Sequence, residues 1–228
     1  MGRSQGADPL VGSNTTRARP VLAAAAILAV LGIVVGGPAP AAADPSCPSG
    51  ARLKGAKPPV ARKQWCSLED GTQHGPSVSY YATGEKMARA EFDEGRLVGK
   101  YEAWHPNGQL AEIAHYENDR REGISRAWDV HGNLITEEPY HDGELDGVTR
   151  VWFPDGQLRV EATYRKGLRH GPVATYYANG QKQTEGGFRN DVYHGTWRGW
   201  YPDGTLEKVA EFEDGKLLSR EEFPPPGG

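Results

Sequence analysis

Trp104-His-Pro-Asn-Gly-Gln-Leu110, Phe153-Pro-Asp-Gly-Gln-Leu158 and Tyr201-Pro-Asp-Gly-Thr-Leu206 decide the fold. Each stretch sets aromatic residues before a proline-glycine turn and a leucine just after it. Proline presets the backbone of a turn, and glycine accepts positive φ. Working outward, the turn glycine recurs as Gly84, Gly108, Gly132, Gly156, Gly180 and Gly204, at steps of 24 residues with no insertion. A second glycine recurs at 75, 99, 123, 147, 171 and 195 with the same step. Two aromatic columns keep pace: Tyr80, Trp104, Trp128, Trp152, Tyr176 and Trp200; and Phe92, Tyr116, Tyr140, Tyr164, Phe188 and Phe212. Self-similarity at a fixed period is the mark of a repeat architecture.

Each unit reads as two strands and two turns. In the second copy Lys100 to His105 is extended, Pro106-Asn107-Gly108 turns, and Leu110 to Tyr116 returns before Glu117-Asn118-Asp119 leads onward. Short strands joined this way make an antiparallel meander. The predicted class is all-β: an elongated antiparallel meander of six stacked 24-residue β-hairpin repeats, with no significant helix outside the N-terminal segment. If Trp104 faces Leu110 across the turn, alternation puts Ala114 and Tyr116 on that same face. The opposite face would then carry Tyr81, His105, Asp129, Phe153, Tyr177 and Tyr201, together with Arg89, Ile113, Glu137, Glu161, Glu185 and Val209. The third copy departs, with Val130-His131-Gly132 at its turn and Pro139 in its second strand. Proline cannot donate a ladder bond, so a local bulge is expected there.

The repeats cover residues 73–218, as units of about 73–96, 97–120, 121–144, 145–168, 169–192 and 193–218. Residues 219–228 are expected to be a disordered tail. At the other end, residues 1–43 read as a signal peptide. Arg17 and Arg19 precede the uncharged run Val21 to Gly37, and Ala41-Ala42-Ala43 offers the small residues of a cleavage site before Asp44. The rival reading is an uncleaved membrane anchor. Residues 44–72 form a cap or linker holding Cys47 and Cys66, the only cysteines. An even number in an exported chain favours a disulfide. A loop of about 20 residues is worth roughly 3 kcal/mol by chain entropy.

These residues resemble the bacterial variant of the MORN repeat. The turn stretches carry the resemblance, together with the junctions Asp142-Gly-Glu-Leu-Asp-Gly147 and Lys166-Gly-Leu-Arg-His-Gly171. It implies stacked hairpins in a twisted sheet, and a role in scaffolding or membrane tethering. Bacterial members often carry an antitoxin-like label.

The remaining chemistry argues against an enzyme. His74, His170 and His194 occupy one repeat slot, so their common cause is the repeat. Neighbours in that slot should lie about 10 Å apart, too far to share a metal ion at about 2 Å bonds. No serine sits in a nucleophile elbow, and neither cysteine has a catalytic signature. Catalytic residues, a metal site and a cofactor are therefore not expected. Without residues 1–43, which hold three basic residues and one acidic, the chain has net charge −6. That argues against nucleic acid as a partner. Residues 52–63 hold Arg52, Lys54, Lys57, Arg62 and Lys63 without an acid, a composition that suits either a soluble linker or anionic headgroups. The Trp and Tyr columns read as the core of a thin sheet before they read as a binding stripe. The expectation is a periplasmic or secreted repeat scaffold that binds another protein. The alternatives are a membrane-associated tether and an antitoxin-like or immunity-type inhibitor.

Overall fold

A computed structural model describes residues 45–225 and Gly227. The predicted signal peptide and its cleavage site lie outside the described residues. Of the two units into which the chain falls, Met1–Ala41 and Ala42–Gly228, only the second is described here.

Seventeen strands run through it: β1 Arg52–Ala56, β2 Lys63–Ser67, β3 Gln73–Tyr80, β4 Lys86–Asp93, β5 Arg96–Trp104, β6 Leu110–Glu117, β7 Arg120–Arg121, β8 Gly123–Trp128, β9 Leu134–His141, β10 Glu144–Leu145, β11 Gly147–Trp152, β12 Leu158–Arg165, β13 Leu168–Tyr176, β14 Lys182–Arg189, β15 Val192–Trp200, β16 Leu206–Glu213 and β17 Lys216–Glu222. They form one open antiparallel meander in which each strand pairs with the next along the chain, except that β6 pairs with both β7 and β8 and β9 with both β10 and β11. The pairs β7/β8 and β10/β11 are single return strands interrupted at Glu122 and Asp146, whose N–H groups donate to His115 and Pro139 carbonyls at 2.9 and 3.0 Å.

Two kinds of turn alternate, and both are written in the sequence. In the first, Gly108 N–H donates to the His105 carbonyl and His105 N–H to the Gln109 carbonyl, each at 2.8 Å, with Gly108 at φ 83°. That is the three-residue hairpin loop ending in a left-handed residue. The third copy closes its Val130-His131-Gly132 loop in the same way, at 3.0 and 2.9 Å. The second kind is a two-residue turn with both central residues at positive φ, such as Asn118 (49°) with Asp119 (67°) or Asp142 (55°) with Gly143 (83°). This is the type I′ geometry, whose twist matches that of the flanking strands.

The junction turns also bond back to the start of their repeat. The N–H groups of Gly95, Asp119, Gly143, Gly167, Asp191 and Gly215 donate to the carbonyls of Gln73, Leu97, Arg121, Leu145, Arg169 and Tyr193 at 2.8–2.9 Å. Each turn thus sits on the strand that starts its own repeat. The return strands accommodate this with two excess residues at every junction but the last, where β16 and β17 differ by one. At the β4/β5 junction, Arg89 pairs with Glu102 and Glu91 with Val98, so Gly99, Lys100 and Tyr101 face Ala90 alone. Gly99 takes φ 63° there, which explains the second glycine column.

The facing expectation is only half right. Trp104 does lie opposite Leu110, but the next pair is Ala103 with Glu112, leaving Ala111 as an excess residue. A one-residue bulge reverses the alternation. Ala114 therefore pairs with Tyr101, on the face away from Trp104. The same shift occurs in every hairpin of the repeat. The expected bulge at Pro139 is not an added one. Pro139 pairs with Ile124 in continuous register, and the shift on its other side is the one common to all junctions between repeats.

One face is packed. Its core is Trp197 (1% exposed), Ala114, Ala162, Ala210, Val173 and Phe188. Trp197 meets Phe188 and Tyr193 at centroid distances of 5.1 and 4.7 Å, and Tyr193 stacks on Phe212 at 5.1 Å. The two ends differ. At the first hairpin, Cys47 is bonded to Cys66, which is fully buried. Tyr80 donates to Gln64 Oε1 at 2.7 Å, and Pro48 presses on Gly75. The segment read as a cap or linker is thus partly a hairpin of the same sheet, β1 with β2. At the other end β17 continues to Glu222, correcting the sequence boundary of the tail at 219. Ser219 stands where a junction glycine would begin a further repeat.

Candidate interaction surface

The second face joins aromatic rings and ion pairs in two parallel rows. The first row is the Trp104 column with the residues opposite it. Lys86 Nζ lies 5.6 Å from the Trp104 ring centroid, and Lys182 Nζ 5.7 Å from that of Trp200. Such contacts are favourable because the ring face is negative. Trp104, Trp128, Trp152, Tyr176 and Trp200 are half-buried, whereas Tyr80, beneath the N-terminal hairpin, is 4% exposed. The column is therefore covered at its first member and open to solvent along the rest.

Beside it runs a ladder of charges. Arg126 reaches Glu137 at 2.8 Å, Arg150 reaches Glu137 at 3.7 Å and Glu161 at 2.8 Å, and Glu185 takes Lys182 at 2.6 Å and Arg198 at 3.3 Å. The hydrogen bond from Lys182 holds the Glu185 carboxyl below the usual range, and the same bond raises Lys182. Glu137, Glu161 and Glu185, expected on the face opposite the Trp104 column, lie instead on its own face as partners in this ladder. Arginine at 126, 150 and 198 was an equally visible column, at multiples of 24 residues, and pairing the two columns would have found it.

The packed face also buries the hydroxyl residues Ser77, Ser125, Thr149 and Thr184, and it holds an ionic cluster. Arg121 donates to Tyr116 Oη at 3.1 Å, to Tyr140 Oη at 3.4 Å and to Glu112, while Tyr140 donates to Glu138 at 2.9 Å. Burial opposes the Arg121 charge, but the Tyr116 hydrogen bond and the Glu112 carboxylate outweigh it and raise its pKa. Burial, with Glu138 beside it, pushes Tyr140 up to about 12.

The histidine slot and the polar members of the Tyr81 column have structural roles. His74 Nδ1 accepts from Glu94 N–H at 3.4 Å, Glu122 from Asp142 N–H at 2.9 Å and Asp146 from Lys166 N–H at 3.4 Å, all across one repeat. His170 Nδ1 instead meets the side-chain oxygen of Asn190, at 3.0 Å. Tyr81, Tyr177 and Tyr201 donate to the carbonyls of Trp104, Trp200 and Phe223 at 2.8–3.0 Å, and His105 Nε2 meets the Trp128 carbonyl at 2.8 Å. The bonds of the Tyr81 column tie consecutive repeats together.

The fold defines a class: an open repeat sheet with one packed face and one face of periodic aromatic and charged residues. Residues 97–118, 145–166, 169–190 and 193–214 match the MORN repeat variant. The chain belongs to the MORN repeat variant family, whose repeats are interaction modules. The unmatched first and third copies have the same turns and registers as the others. No curated protein matches the chain. Among solved structures it is similar to a GtfA/B complex bound to UDP and GlcNAc, at 16% identity and TM-score 0.20, covering 60% of this chain and 24% of that one. It is also similar to TcdB2-TccC3, at 13% identity and TM-score 0.18, covering 77% of this chain and 13% of that one. The chain thus spans about a quarter or less of the solved chains it matches.

Proposed function

We propose that the protein is an exported, non-enzymatic scaffold that binds a protein partner of the cell envelope along its charged face. The observation that carries this reading is the pair of rows on that face. Half-buried rings and ordered ion pairs recur from repeat to repeat, and aromatic residues and arginine are the types enriched where proteins meet. The buried disulfide and the signal-like residues 1–43 support export. The side chains of the histidine slot and Arg121 are engaged in bonds within and between repeats, which suits a structural role for them. The partner is a protein rather than nucleic acid, in keeping with the net charge.

A tether to anionic lipid draws on a separate observation. Arg52 and Lys54 are exposed on the outermost strand β1, and Arg62 and Lys63 lie beside it. An immunity-type inhibitor would use the same charged face as the scaffold, and the identity of the captured protein separates the two. The test is capture from an envelope extract, with cosedimentation on phosphatidylserine vesicles in parallel. Capture of a defined protein without vesicle binding is expected. Vesicle binding without a protein partner would replace the scaffold by the tether.

A further inference from the structure

We infer that a notch at Ala174 on the charged face receives an arginine side chain of the protein partner. The inference rests on the interaction reading above and names the chemistry of one anchor point.

The charge ladder supplies the template. Its order is Arg126, Glu137, Arg150, Glu161, then Ala174, then Glu185 and Arg198. The register places Ala174 directly between Glu161 on one neighbouring strand and Glu185 on the other. One repeat earlier, Arg150 stands in the equivalent place. It reaches the flanking Glu137 and Glu161 at once, at 3.7 and 2.8 Å. One repeat later Arg198 takes that place and bonds Glu185 at 3.3 Å. At Ala174 the methyl group leaves a cavity of 370 Å³, lined by Glu161 and Glu185 with Pro172, Tyr176, Lys182 and Arg198. Two carboxylates therefore flank a space that the protein itself fills with guanidinium in the neighbouring repeats.

The walls select among cations. A planar guanidinium can bridge two carboxylates and lie against the Tyr176 ring, whereas an ammonium is a compact point charge. Glu185 already holds Lys182 and Arg198, so Glu161, held through one oxygen by Arg150, supplies the stronger pull. The notch is accordingly one anchor within a larger interface, and a free arginine derivative binds it weakly, in the millimolar range.

The probe is N-acetyl-arginine methylamide, titrated into the mature protein and followed by amide chemical shifts. The citrulline and lysine analogues serve as comparators. The expected result is saturable shifts confined to the backbone around 161, 172–176 and 185, at least severalfold stronger for arginine than for lysine, and absent for citrulline. Ala174→Arg fills the notch from within. It should abolish the titration and leave the melting temperature unchanged or higher. Glu161→Gln keeps the notch open and should weaken binding severalfold. Shifts that do not saturate, that citrulline reproduces, or that persist in folded Ala174→Arg would overturn the inference. So would a lowered melting temperature in Ala174→Arg. Failure here beside a successful envelope capture removes only the notch, and failure of the capture with a positive titration removes only the scaffold reading.

Discussion

Replacing Gly186 with alanine probes the packed face at its tightest contact. A Cβ there would lie 2.1 Å from Cδ2 and 2.3 Å from Cε2 of Trp197, far inside the about 3.5–4.0 Å of a carbon contact. The indole cannot swing aside freely. It is 1% exposed, its N–H donates to the Gly187 carbonyl at 3.1 Å, and Phe188 and Tyr193 flank it. Gly186 is not among the positive-φ glycines, so alanine suits the backbone and stabilises by about 0.4–1 kcal/mol through the unfolded state. Overpacking costs about 1–3 kcal/mol, which leaves a net loss of about 1–2 kcal/mol. At about 2–4 °C per kcal/mol for a chain of this size, the melting temperature should fall by about 2–8 °C. Trp197→Ala removes the ring that meets the new methyl. On that background Gly186→Ala should be neutral or stabilising, giving a coupling of about 1–3 kcal/mol in the double-mutant cycle. Urea or thermal melts of the four proteins measure it. An unchanged or higher melting temperature for Gly186→Ala alone, or the same cost on both backgrounds, would refute the packing argument.

Trp197→Ala should cost about 3–5 kcal/mol, as for other buried aromatic truncations, and Trp152→Ala, half-buried on the charged face, clearly less; paired melts rank them. Cys47→Ser should lower stability by about 3 kcal/mol for a loop of this length, read by denaturant melts, with faster proteolysis near Pro48 as the local signature. His141, whose pKa is raised chiefly by its hydrogen bond with Glu122, should titrate above the ordinary value of about 6.5 in an NMR experiment. Its contribution to stability is complete below that ordinary value and is lost as pH rises through the folded one, and Glu122→Gln should return His141 to the ordinary range.

The repeat, its hairpins and the disulfide partners were legible because they depend on residues that recur or stand alone. Glycine columns mark positive φ directly, and Asn118-Asp119 and Asp142-Gly143 carry the chemistry of type I′ turns. Facing was not legible. The bulge column of Met87, Ala111, Ile135, Arg159, Gln183 and Glu207 has no shared chemistry, because the excess residue is set by the turn rather than by its side chain. Without it, alternation from Trp104 leads to the wrong face at Ala114. Trp197 escaped notice for a related reason. Its column reads Ser77, Tyr101, Ser125, Thr149, Val173 and Trp197, and its burial depends on Gly186 across the junction. The charge ladder was hidden because its arginines and glutamates lie in separate columns that only strand pairing brings together.

Binding of a protein along the charged face is open to direct measurement. The most direct measurement compares capture from envelope extract by the wild-type mature protein and by an Arg150→Ala, Arg198→Ala double variant. Both side chains are 40–45% exposed, so the melting temperature should change little. The expected result is a defined protein captured by the wild type and reduced at least severalfold by the variant, with the fold intact. Equal capture by both proteins would contradict it.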